Sequence, residues 1–182
     1  RWYLEALGIG SDLNAANCLQ AWKTKVGDNW NTKANRDIIW RLRTPETIPM
    51  IAEILKDKDL DEQQIARFFR TLHFQPEVNK DQHLAALLVA NHPEQKVMNA
   101  YTLSNLSPNY YKRSPQIVEK ILPSIEGTPE WLDAVKSMKL TNQSPALVQM
   151  LLHDENKDMR FGAATQVWIT LLTSMSVACI IE

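Results

Sequence analysis

The sequence has 182 residues, 45% of them hydrophobic and 23% charged, with a net charge of −1; this suits one sizeable globular domain and excludes disorder as the default state. No Lys/Arg run is interleaved with aromatics, which excludes a nucleic-acid surface, and Arg36, Arg41 and Arg43 read as a solvated helix end. Only 5 glycines are present, while Leu, Ala, Lys, Glu and Gln abound, so the bias is towards helix.

Residues 1–8 read as the tail of a helix stopped by Gly8 and Gly10. Asp12 is placed to cap a second helix, whose apolar positions Leu13, Ala16, Leu19, Trp22 and Val26 share a face and end at Gly27. A polar loop, Asp28 to Thr32, carries Trp30. A third helix then runs through Ile38, Ile39 and Leu42 and stops at Thr44-Pro45.

From residue 45 the pattern becomes regular. Ile48, Ile51, Ile54 and Leu55 line one helix, Asp57-Lys58-Asp59 turns the chain, and Asp61 with Gln64 spells a capping box. The helix that follows carries Ile65, Phe68, Phe69 and Leu72 on one face. Leu84, Leu87 and Leu88 mark the next, and Pro93 opens another with Val97, Ala100, Tyr101 and Leu103. Asn105 to Arg113 reads as the longest loop. Three later helices share one punctuation, Ser114-Pro115, Thr128-Pro129 and Ser144-Pro145, in which a hydroxyl caps the first amides and proline removes one.

The last pair is the clearest. Leu147, Val148, Leu151 and Leu152 make one helical face; Met159, Ala163, Val167 and Leu171 make the next. Asp158 stands at the expected N-cap, and Gly162, Ala163 and Ala164 are small enough for close approach of two helices. A shift of 97 positions lays Asp57 on Asp154, Asp61 on Asp158, and Ile51, Ile54 and Leu55 on Val148, Leu151 and Leu152. Such self-similarity marks a repeat architecture. The expected fold class is all-α, a HEAT/armadillo-like solenoid of antiparallel helix pairs, with N-terminal helices over 1–44 and HEAT-like pairs over 45–182.

Chemistry is sparse by comparison. His73, His83, His92 and His153 form no metal spacing, no HExxH or CxxCH occurs, and no Gly-rich phosphate loop or nucleophile motif is present. The acidic run Asp57 to Glu62 lacks the glycine and spacing of a calcium loop. Cys18 and Cys179 read as two buried thiols, with a disulfide between them the alternative. The nearly charge-free stretch from Val167 to Ile181 is about 15 residues, short of the ~20 a membrane span needs, and reads as a buried or frayed last helix. Trp2, Trp22 and Trp40 sit in apolar periodic segments as core anchors. Trp30 does not, so Trp30, Asn31 and Arg36 are the expected partner contact. No catalytic, cofactor-binding or metal residue is expected.

The run Arg1 to Gly10, then Trp30-Asn31-Thr32, Arg36-Asp37-Ile38-Ile39-Trp40-Arg41 and Arg67-Phe68-Phe69-Arg70, resembles the helical-repeat region of the bacterial PVC-type haem-binding, membrane-bound dehydrogenase family. The match is close over residues 1–80 and looser as far as Asp154. In that family the repeat region follows a propeller similar to sugar dehydrogenases and precedes a c-type cytochrome domain attached through CxxCH. The resemblance therefore implies a fragment of a longer exported or periplasmic chain, whose parent carries covalent haem c and performs electron transfer. For this segment it implies a non-catalytic scaffold or spacer whose partners are the neighbouring domains. Two other readings stand beside it: an autonomous scaffold that binds a protein, and a direct haem binder or enzyme.

Overall fold

A computed structural model describes residues 2–74 and 80–178, with side chains described as far as Leu171. The described residues are helices, short 3-10 turns and connections, with no strand among them. They fall into two compact units, Arg1–Asn105 and Leu106–Glu182.

In the first unit α1 (Trp2–Ser11) leads through a 3-10 turn into α2 (Ala15–Val26), which Gly27 ends at φ 55 as its stop requires. The expected halt at Gly8 and Gly10 does not occur, since α1 runs through both. Neither glycine has positive φ, and Gly8 serves another purpose: a Cβ there would overlap the Arg41 guanidinium. That guanidinium crosses from α3 (Lys33–Arg41) to donate to the Leu4 carbonyl at 3.1 Å and to Glu5 at 2.8 Å. Gly10 has nothing within 4 Å of its would-be Cβ. The two glycines should thus respond with opposite signs. Gly10→Ala should stabilise by up to about 1 kcal/mol through helix propensity alone. Gly8→Ala has the same gain but displaces Arg41 from its charge-assisted bonds, a loss of about 1.5–3 kcal/mol, so urea denaturation should show net destabilisation.

The core of this unit is built where the apolar spacing is densest. α4 (Thr47–Ile54) buries Ile48, Ile51 and Ile54, followed by Leu55; α5 (Glu62–Leu72) buries Ile65, Phe68, Phe69 and Leu72. The Asp61–Gln64 capping box is present in both directions, the Gln64 backbone N–H donating to the Asp61 carboxylate at 2.8 Å and the Asp61 backbone N–H to the Gln64 side-chain Oε1 at 3.0 Å. α6 (Lys80–Leu84) and a 3-10 turn bring in Leu84, Leu87 and Leu88, and α7 (Gln95–Asn105) adds Met98 and Leu103. Tyr101 stacks on Phe69 at 5.5 Å between ring centroids.

The tryptophans depart from expectation. Trp2 is 86% exposed and Trp22 only half-buried, because α2 buries just Leu19 and leaves Leu13, before it, fully open. Trp40 is half-buried, held by its indole N–H donating to the Arg67 carbonyl at 3.0 Å with the Arg67 guanidinium over its ring. Cys18 is exposed rather than buried, since it lies on the open face of α2; Cys179 lies outside the described residues.

In the second unit the expected loop Asn105 to Arg113 is instead largely helical, α8 (Pro108–Arg113), with Tyr110 buried. Ser107-Pro108 is the same helix-opening pair as the three recognised, and its pre-set φ suits the first turn. α9 (Pro115–Ile121) and a 3-10 turn lead to α10 (Pro129–Met138). Of the three hydroxyl caps only Thr128 accepts from its helix, taking the Trp131 amide at 3.1 Å. Ser114 makes no such bond, and Ser144 lies inside α11 (Ser144–His153), donating to the Thr141 carbonyl instead.

α11 and α12 (Lys157–Ala178) form the anticipated pair. Gly162 sits close against α10, where a Cβ would meet the tip of the Leu132 side chain. The expected faces hold in part: Leu147, Met159 and Ala163 are buried, joined by Met150, whereas Val148, Leu152 and Leu171 are exposed. Trp168 and Ile169 are exposed too, so the expected burial of the last helix fails as far as its side chains are described. The cap is also shifted, because Asn156, not Asp158, accepts at the start of α12, taking the Asp158 amide at 2.9 Å.

Candidate functional site

Trp30, Asn31 and Arg36 converge where the Gly27–Asn31 turn meets α3. Thr32 caps α3, and from its first turns Asn35 reaches back to the Asn29 carbonyl at 2.7 Å while the Arg36 Nε donates to the Asn31 side chain at 2.8 Å. Two bonds on either side of Trp30 therefore pin the turn that carries it. Trp30 and Asn31 are half-buried.

Arg36 does more than hold this turn. Its Nη2 donates to Asp57 at 2.6 Å, and its side chain is only 17% exposed. The reading of Arg36, Arg41 and Arg43 as a solvated helix end is thus corrected for the first two, which bind carboxylates of other segments; Arg43 is exposed as expected, lying over the Phe74 ring. Charge patterning along the chain could not reveal acceptors that come from 21 and 36 positions away.

Asp57 is the centre of the arrangement. One carboxylate oxygen takes the Arg36 guanidinium, the other the Asp59 amide at 3.1 Å, and the Asp57 carbonyl takes the His92 ring at 2.8 Å. Because His92 Nδ1 accepts from the Glu94 amide at 3.0 Å, Nε2 must carry the hydrogen given to Asp57. Buried His92 was not singled out in the sequence, and no local motif marks it. Asp57 was, through its correspondence with Asp154. That correspondence holds locally, since the Asp154 side chain accepts the Asn156 amide at 2.8 Å and its carbonyl accepts from Arg160 at 2.9 Å.

The Arg36 guanidinium, with the Asp59 amide second, holds the Asp57 carboxyl below its usual value against the opposing effect of burial. A lowered folded pKa gives stability that is present above the unfolded value, near ~3.9, and lost as pH falls through the folded one. Asp57→Asn should therefore be less stable than the parent by about 1–2 kcal/mol at neutral pH, with the gap closing in acid. Urea midpoints measured on both proteins across that range check it; a gap independent of pH would remove the ion pair from the account.

The chemistry this network supports is bracing. Its donors and acceptors face one another, and no nucleophile stands beside a base. A second set does the same nearby, with Arg67 paired to Asp37 at 2.7 Å and the Thr71 hydroxyl donating to the Trp40 carbonyl at 2.8 Å. The cavity lined by Gly8, Ile9, Ser11, Asp12, Ala15, Arg41 and Arg43 holds about 140 Å³, below the ~300 Å³ at which small-molecule sites begin. Among the described residues no group of three or more His, Cys, Asp or Glu could hold a metal ion, and no helix is long and apolar enough to cross a membrane. Neither cysteine begins a CxxCH, and both ring nitrogens of His92 are engaged. No family profile, curated protein or solved structure matches the chain.

Proposed function

We propose that this chain is a non-catalytic, HEAT-like helical spacer within a longer exported protein that carries a dehydrogenase-like domain and a haem c domain. One observation carries the reading: the residues that bear the family resemblance act as ties between helices. Arg36 reaches Asp57, Asp37 reaches Arg67, Trp40 reaches the Arg67 carbonyl, and Arg41 reaches Leu4 and Glu5, while Phe68 and Phe69 fill the core between them. Side chains spent in this way maintain a shape, and a shape maintained between two domains sets their separation. Trp30 is the residue offered to a docking partner, and Asn31 and Arg36 behind it keep its turn in place. Haem and the redox chemistry belong, in this reading, to other domains of the parent.

The test is the mass and visible absorbance of the full-length parent purified from the exported compartment. Covalent haem mass with a Soret band supports a spacer inside a cytochrome-bearing dehydrogenase. A colourless parent of about this length sinks that reading and leaves an autonomous protein-binding scaffold, which the apolar residues open on α1 and α12 favour.

A further inference from the structure

His92 is 4% exposed, and each of its ring nitrogens has a single partner. Nε2 donates to the Asp57 carbonyl at 2.8 Å, while Nδ1 accepts the Glu94 backbone N–H at 3.0 Å, just ahead of α7. The His92 backbone N–H donates to Gln95 Oε1 at 2.9 Å, and Gln95 Nε2 donates in turn to the Leu87 carbonyl and to Asn99. One imidazole thus closes the entry to α7 and ties it to the turn after α4. A second proton has one place to go, the Nδ1 lone pair, and the Glu94 N–H already occupies it. Turning the ring over brings no relief, because both nitrogens of an imidazolium are donors. Nor is water at hand to accept the new hydrogen from so buried a ring.

We infer that His92 is an acid-released latch: protonation at Nδ1 drives the ring out of its site, and the tie to Asp57 and the closure of α7 are lost together. The charged groups on the segments it joins do not reverse this. Asp57 attracts a positive charge on the ring, but Arg36, paired with Asp57 at 2.6 Å, offsets the attraction. Half-buried Glu94 adds a second attraction, opposed by the positive end of α7. Lys58, Asp59 and Lys96 are exposed, of mixed sign and screened by solvent. An unfolded chain accepts the proton freely, so it binds one proton more than the latched state and acid favours opening. The effect falls between about pH 8 and pH 5, where histidine is the side chain that changes charge. Asp57 stays ionised there, since its carboxyl is held below the usual value.

Hydrogen exchange of the Glu94 backbone N–H tests the latch, read by NMR on the whole chain at about pH 7.5 and about pH 5 and corrected for the intrinsic exchange rate. Its protection should fall at least ~tenfold in acid. The Gln64 N–H, capped by the Asp61 carboxylate, should keep its own protection over that range. His92→Asn supplies the control, because the Oδ1 of asparagine accepts an N–H two residues on and does not titrate. In that variant the protection of the Glu94 N–H should be alike at the two pH values. The other histidines are common to both proteins. Should the variant not fold, the imidazole nitrogen shifts of the wild type decide: the latch requires the Nε2–H form at the higher pH, and loss of Glu94 protection in step with protonation. A folded protein that protonates His92 while Glu94 stays protected, or an equal loss in the wild type and His92→Asn, overturns the assignment.

Discussion

Trp131→Ala is expected to destabilise the protein by about 3–5 kcal/mol, whereas Trp131→Phe should stay within about 1 kcal/mol of wild type. Trp131 is fully buried in the second unit, and its alanine variant leaves a cavity the size of an indole in the core of that unit, where Val118, Leu122 and Ala134 are buried too. The phenylalanine variant tests something narrower. The indole N–H is buried without a hydrogen-bond partner, so wild type already bears the desolvation of that group, about 1–3 kcal/mol. Removing the N–H relieves this penalty and offsets much of the lost packing. Urea denaturation of the three proteins decides the matter: a phenylalanine variant as weak as the alanine one would mean that the indole N–H is hydrogen-bonded after all.

Phe69→Ala should cost a similar amount, about 3–5 kcal/mol, in the first unit. Phe69 has no exposed surface, sits on the same helical face as Ile65 and Leu72, and stacks on Tyr101. Phe161→Ala is the control of equal chemistry, because that ring is 77% exposed. It should shift stability by no more than about 0.5 kcal/mol. Comparable losses at the two positions would show that the α12 face is covered in solution.

Much of the helical framework was legible because its signals are local. The face of Ile65, Phe68, Phe69 and Leu72, the Asp61–Gln64 box, the Thr128 cap and the stop at Gly27 each depend on residues within one or two turns. Errors arose where a distant partner decided the outcome. Gly8 looks like punctuation until Arg41 is seen lying against it. Apolar periodicity marks a face without saying whether anything covers it, which is why Trp2, Leu13, Val148 and Leu152 were misjudged. Asn105 to Arg113 was misread for a different reason, since its tyrosines and proline obscured a helix opened by Ser107-Pro108. Around Trp30 the residue types were visible but their connections were not. Arg36 finds Asp57 only after α3 and the turn following α4 have been brought together.

The bracing of Asp57 also bears on mechanical compliance. The corner between α4 and α5 is gripped from upstream by Arg36 and from downstream by His92. Opening it breaks a charge-assisted bond on one side and an imidazole bond on the other. The corner between α11 and α12 has the same aspartate turn, yet its carbonyl is tied to Arg160, in the first turn of the helix it precedes. Under load transmitted along the backbone the corner between α4 and α5 therefore resists through side-chain ties from both directions, whereas the corner between α11 and α12 relies on the packing of its two helices against each other.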